Sequence, residues 1–187
     1  MMTHSDEHRR RYGMTAQALH WLSAPAVVAA WGLGLLGEEF PKGAPRETAE
    51  FAHIIVGEAV VALLVLRVAW RFIDPPPPAE PSAMGRTADV LAKVGHLALY
   101  ALLLAAPALG VATLFAGGEP LSIFGVADIP SPWVEDRAFK HSLEEIHELL
   151  AHGLIALVGV HSIAAIVHHC VYRDDTLKRM LPRGLLR

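Results

Sequence analysis

The chain has 187 residues, 53% of them hydrophobic and 19% charged, with a formal net charge of −3 and one cysteine, Cys170. The apolar residues gather into four long blocks, each near the roughly 20 residues that cross a bilayer, which argues against an ordinary soluble domain. A single thiol excludes an internal disulfide and argues against a thiolate-held metal cluster; no C-x-x-C-H haem-attachment motif is present, and no nucleic-acid partner is expected.

The expected architecture is an all-α integral membrane four-helix bundle forming one domain over 1–187. Residues 1–10 read as a flexible polar tail. The first span covers about Ala16 to Leu36, with His20 and Trp21 one turn inside its start and Pro25 within it. It is too long, and carries too many polar residues, to be a cleaved signal, so it is expected to be retained. A short polar loop leads to the second span, Phe51 to Phe72, which opens with His53 and Gly57 and closes with Arg67, Trp70 and Arg71. Pro75 to Pro78 cannot continue a helix and end it as a stiff extended linker. The third span is Ala92 to Ala116, with His96, Tyr100 and Pro107; a long loop, Gly117 to Leu143, precedes the fourth, Glu145 to Tyr172. Trp21, Trp70 and Tyr172 read as interfacial belt residues, and Gly32 and Gly34 as close helix packing.

Lys and Arg set the expected orientation. Eleven lie on the side of both termini and four on the other, so both termini are expected to be cytoplasmic. The outer loops, from Glu38 to Glu145, carry ten carboxylates against those four cations, leaving an outer excess of six negative charges.

The fourth span holds His147, His152, His161, His168 and His169, far more imidazole than an apolar helix normally carries. His147 and His161 are fourteen residues apart, so they fall within about 40° of one face and about 21 Å apart along the axis. His53 opens the second span at the outer surface and matches His147 in depth; His20, near the inner end of the first span, matches His161. Two imidazole pairs at two depths are what two six-coordinate haem irons need, each macrocycle filling four positions and leaving two axial ones. Gly57, four residues after His53, would let a flat macrocycle lie against the backbone. Arg67, fourteen residues after His53, brings a cation to the inner depth, where a haem propionate would be its partner. His96, His141 and His152 read as ordinary hydrogen-bonded histidines, and His168 and His169 lie near the inner interface, where simple interfacial placement and a functional role both stay open.

These residues carry a resemblance. Arg11-Tyr12, Leu19-His20-Trp21, His53 with Gly57, Arg67 to Arg71 before the proline run, and His96 with Tyr100 and Pro107 occur in order, followed by Pro120-Leu121 and Phe124-Gly125. His147, His161, His168-His169, Arg173-Asp174 and Arg179-Met180-Leu181-Pro182 complete the series. In this arrangement the chain resembles the bacterial cytochrome b561 family, four-helix dihaem membrane cytochromes related to the b-type subunits of hydrogenases. The resemblance implies two non-covalent b haems, one between His20 and His161 and one between His53 and His147, in a bacterial inner membrane. It also implies exchange of electrons with a quinone such as ubiquinone, for which His168 and the nearby arginines are the candidate contacts.

The expected function is therefore electron transfer between the quinone pool and an outer-face redox partner or small acceptor in a respiratory chain. Some family members oxidise superoxide at the outer face and pass the electron to ubiquinone, which is the first alternative. An acidic outer face repels that anion, however, and suits a cationic partner such as a periplasmic c-type cytochrome at least as well. A membrane anchor that docks a soluble redox enzyme is the competing structural reading, and a metal transporter a more distant one.

Overall fold

The computed structural model describes residues 11–37, 39–78 and 85–182. The expected tail at 1–10 and several charges used to orient the chain, among them Arg9, Arg10, Glu38, Arg183 and Arg187, lie outside the described residues. Four helices dominate: α1 (Met14–Gly37), α2 (Ala44–Ile73), α3 (Arg86–Ala116) and α4 (Arg137–Val167), the last continued by a π-helical turn, His168–Tyr172. Each is long and apolar enough to cross a bilayer.

Helices α2, α3 and α4 start six to eight residues before the apolar spans expected from the sequence. Hydropathy marks where hydrocarbon contact begins, whereas a helix begins where its first amides are satisfied. In α2 a proline occupies the first turn, where its missing N–H costs nothing. In α4, Asp136 accepts from the amides of Ala138 and Phe139, both at 3.0 Å, so helix occupies the last part of what reads as loop. At its far end α2 stops at Asp74, whose amide still reaches the Trp70 carbonyl at 2.8 Å before the prolines forbid another turn.

α1 packs along α2 and α3 along α4, while contacts between these two helical hairpins are sparse. A small core of Val27, Val60, Leu64, Leu103 and Leu154 joins the four helices near mid-height. Large apolar side chains such as Val65, Leu104, Leu149 and Ile163 stay exposed, as expected for a surface that faces lipid.

The first and last described residues meet at one end of the bundle. Arg11 donates from Nη2 to the carbonyls of Lys178 (2.8 Å) and Leu181 (2.7 Å). The Trp21 indole donates to Met180 O at 2.8 Å, and Arg179 donates to Pro78 O at 2.7 Å. The residues around Arg11-Tyr12 and Arg179-Pro182 thus form a strap across this end, and Trp21 secures it.

The opposite end carries a feature that the apolar pattern did not reveal. Strands β1 (Leu121–Ile123) and β2 (Ala127–Ile129) pair antiparallel, with Leu121 opposite Ile129. Their turn places Phe124 and Gly125 at φ of 46° and 70°, the left-handed pair that matches strand twist.

Candidate functional site

Histidines from different helical hairpins face each other across the sparsely packed seam. Toward the β-hairpin end, the rings of His53 on α2 and His147 on α4 have centroids 6.0 Å apart and planes at 89°. Toward the strapped end, His20 on α1 and His161 on α4 are 6.3 Å apart at 71°.

The first pair is built twice to one plan. His53 Nδ1 lies 2.8 Å from Ala30 O on α1, and His147 Nδ1 lies 2.8 Å from Ala106 O on α3. A carbonyl can only accept, so Nδ1 carries the proton in each ring and Nε2 keeps its lone pair for a metal. Four residues beyond each carbonyl the supporting helix has glycine. A Cβ on Gly34 would stand 3.0 Å from His53 Cε1, and one on Gly110 3.2 Å from His147 Cε1. Gly34 is therefore more than a helix-packing residue, because its missing side chain is where the imidazole lies. The repeated Ala30…Gly34 and Ala106…Gly110 spacing is the sequence signal for these supports.

At the other pair, Arg67 Nη2 approaches His20 Nδ1 at 3.5 Å, the long limit of a hydrogen bond. The Arg67 guanidinium lies over the Tyr100 ring at 5.5 Å and that of Arg71 lies 6.0 Å from the same ring, so one aromatic ring gathers two cations. His96 is also here, its ring 5.3 Å from His161 and its Nδ1 2.7 Å from Ala92 O. The docking of α3 on α4 brings His96, read as an ordinary hydrogen-bonded histidine, into this group.

Spacing discriminates among these rings. A first-row metal sits about 2.0 Å from an imidazole nitrogen, which lies about 1.1 Å from the ring centre, so two trans imidazoles have centroids about 6.2 Å apart. The separations of 6.0 Å and 6.3 Å fit, while the 5.3 Å between His96 and His161 is too short. Among the described residues no three His, Cys, Asp or Glu side chains converge to hold a bare ion. Paired imidazoles across an underpacked seam therefore suit a metal that brings its own in-plane ligands. Beside Gly57 a Cβ would meet nothing within 4 Å, which leaves that backbone open on the seam side of α2 or to lipid.

His168 is engaged elsewhere. Its Nδ1 bonds the Asp174 carboxylate and its ring meets Tyr172 at 5.6 Å. Burial works against ionisation of Asp174, but the bonds from His168 and Thr176 outweigh it and hold the carboxyl below its ordinary 3.8. His152 is exposed beside Trp31, 6.1 Å away, and His141 is exposed near Glu144 and Glu145. Glu58 is a carboxylate in the middle of α2. Its Oε2 accepts the Phe124 amide at 2.8 Å, and its Oε1 is buried with no partner among the described residues.

A family model described as prokaryotic cytochrome b561 matches residues 11–183. The chain is 38% identical over 176 residues to cytochrome b561 homolog 2 of Escherichia coli K12, covering 93% of each chain. It is 32% identical over 182 residues to cytochrome b561 homolog 1 of the same organism, covering 92% of this chain and 98% of that one. To the probable superoxide oxidase CybB of Yersinia pestis it is 31% identical over 177 residues, covering 93% of this chain and 97% of that one.

Proposed function

The chain belongs to the prokaryotic cytochrome b561 family and is a multi-pass membrane cytochrome of the b type, and from that premise we propose that it holds two haems and carries electrons between membrane quinone and a partner at the β-hairpin end. The observation that carries this reading is the pair of imidazole couples at 6.0 Å and 6.3 Å, each bridging the seam between helical hairpins.

His53 and His147 would hold one haem, His20 and His161 the other. Bound haem b supplies one-electron chemistry at its iron, and the protein tunes it through ligands, burial and nearby charge. The carbonyls of Ala30 and Ala106 fix the tautomer of the first pair and raise its basicity. Arg67 would neutralise a propionate, and Tyr100 keeps its guanidinium from turning to the aqueous end. Gly57 would give the macrocycle a flat approach to α2. His168 would meet a quinone at the strapped end. The excess of Lys and Arg on the side of the termini supports a cytoplasmic strapped end and an outer β-hairpin end, in a bacterial inner membrane.

Reduced-minus-oxidised spectra and the haem-to-chain ratio test the ligand set. Two haems per chain are expected, and one each after His20→Ala and His147→Ala; two retained in both variants would refute the assignment. A second reading, electron delivery from superoxide to quinone, is favoured by the likeness to the probable superoxide oxidase. The acidic outer loops weigh against it. Stopped-flow haem reduction by superoxide and by quinol separates the two: rapid reduction by superoxide would put the second reading first.

A further inference from the structure

Resting on the reading that electrons are exchanged at the outer end, we propose that the β-hairpin is the docking surface for a water-soluble, basic redox protein, with Glu58 as the positioning residue that fixes this surface to the helix carrying His53.

The hairpin turns apolar side chains outward. Val126 is 88% exposed, and Phe124 and Ile129 are 48% and 47% exposed. The stretch from Glu119 to Glu145, which includes the hairpin, carries six carboxylates and two cations, Arg137 and Lys140. Both cations are already in ion pairs, Arg137 with Glu135 at 2.9 Å and Lys140 with Glu119 at 2.7 Å. An apolar patch within a surplus of negative charge is complementary to a protein that surrounds its own apolar contact patch with lysines. Lipid is the wrong occupant. The two-stranded ladder has open edges whose N–H and C=O groups need water, and Asp128 lies within β2. Anionic headgroups would also be repelled.

The tip is held at two points of α2. Phe124 gives its amide to Glu58, and Gly125 lies so close to Phe51 that a Cβ would stand 3.0 Å from its ring. Phe51 and Glu58 are seven residues apart, within about 20° of one helical face. Glu58 reaches outward to the tip because side chains on a helix tilt toward its N-terminus, here the outer end. His53 lies at the same level on roughly the opposite face, so about one helix diameter, 10–12 Å, separates the docking surface from that imidazole. Phe124 at φ 46° is held by the turn bond from Val126 N–H to Ile123 O at 2.9 Å and, from α2, by the Glu58 contact.

The test uses dithionite-reduced holoprotein in liposomes, basic c-type cytochrome as the protein acceptor and ruthenium hexammine as a small one. Val126→Lys is expected to slow oxidation by the cytochrome about tenfold and leave the ruthenium rate unchanged. Glu58→Ala is expected to do the same while deuterium exchange of the Phe124 amide accelerates. Glu58→Gln, whose amide oxygen can still accept that N–H, is expected to restore both. Wild-type cytochrome rates in Val126→Lys and Glu58→Ala, or equal losses with both acceptors, would overturn the proposal. A wild-type protein that reduces ruthenium hexammine but not the cytochrome would overturn it too, leaving the dihaem reading intact. A wild-type protein without two haems would overturn both.

Discussion

Replacing Gly34 by alanine separates the support of one imidazole pair from everything else in the bundle. The new Cβ would stand 3.0 Å from His53 Cε1, and ordinary van der Waals contact begins near 3.4 Å, so the ring must yield by about 0.4 Å. That movement strains the 2.8 Å bond between His53 Nδ1 and Ala30 O. Overpacking costs about 1–3 kcal/mol and a weakened hydrogen bond about 1 kcal/mol. Alanine returns about 1 kcal/mol as the better helix former, so the net loss of stability is small, about 1–3 kcal/mol. The effect on metal binding is larger, because disturbing the partner that orients a ligand costs about 10–100-fold in affinity. On the proposed ligand assignment, Gly34→Ala should therefore lose the haem proposed for the His53–His147 pair and keep the other. Gly32→Ala is the control: a Cβ there meets nothing within 4 Å, so helix propensity rises and haem content should not change. The assay is the haem-to-chain ratio with reduced-minus-oxidised spectra on purified protein. Two haems retained by Gly34→Ala, with an unshifted spectrum, would refute the reasoning.

Arg67→Met should lower the potential of the haem proposed at the strapped end, by about 1 kcal/mol of lost charge interaction, because a nearby cation favours the added electron; a redox titration that resolves the two proposed haems checks it. Trp21→Phe removes the indole donor to Met180 O and should loosen the terminal strap by about 0.5–1.5 kcal/mol, read as faster proteolysis near the C-terminus. Asp174 has a lowered pKa, so its contribution is fully present above its ordinary 3.8 and is lost as pH falls through the still lower folded value. Hydrogen exchange of the Thr176 amide, which bonds Asp174 at 2.9 Å, should accelerate below about pH 4 relative to neighbouring amides, and Asp174→Asn should abolish that pH dependence.

The sequence by itself determined the four helices, because about 20 consecutive apolar residues have no other stable form in lipid. It also determined that His147 and His161 share a face, since helical periodicity fixes the angle between residues fourteen apart. Spacing also led to the expectation of Arg67 at the inner depth with a propionate as its partner, but its 3.5 Å approach to His20 on another helix was not legible in the sequence. What it could not carry were facts that depend on a neighbouring helix. The use of Gly34 as space for His53 depends on how α1 docks on α2, and the proximity of His96 to His161 depends on how α3 docks on α4. The bond from His168 to Asp174 forms where the chain leaves the helix through a π-helical turn and a left-handed Arg173. The strap and the β-hairpin escaped the hydropathy pattern because polar backbone bonds build them: Tyr12 N–H to Arg179 O, and Phe124 N–H to Glu58. Apolar periodicity is a property of one segment and can be read along the chain. A hydrogen bond between residues 66 positions apart, like that of Glu58, exists only after packing has brought two segments together, and that step belongs to the tertiary structure.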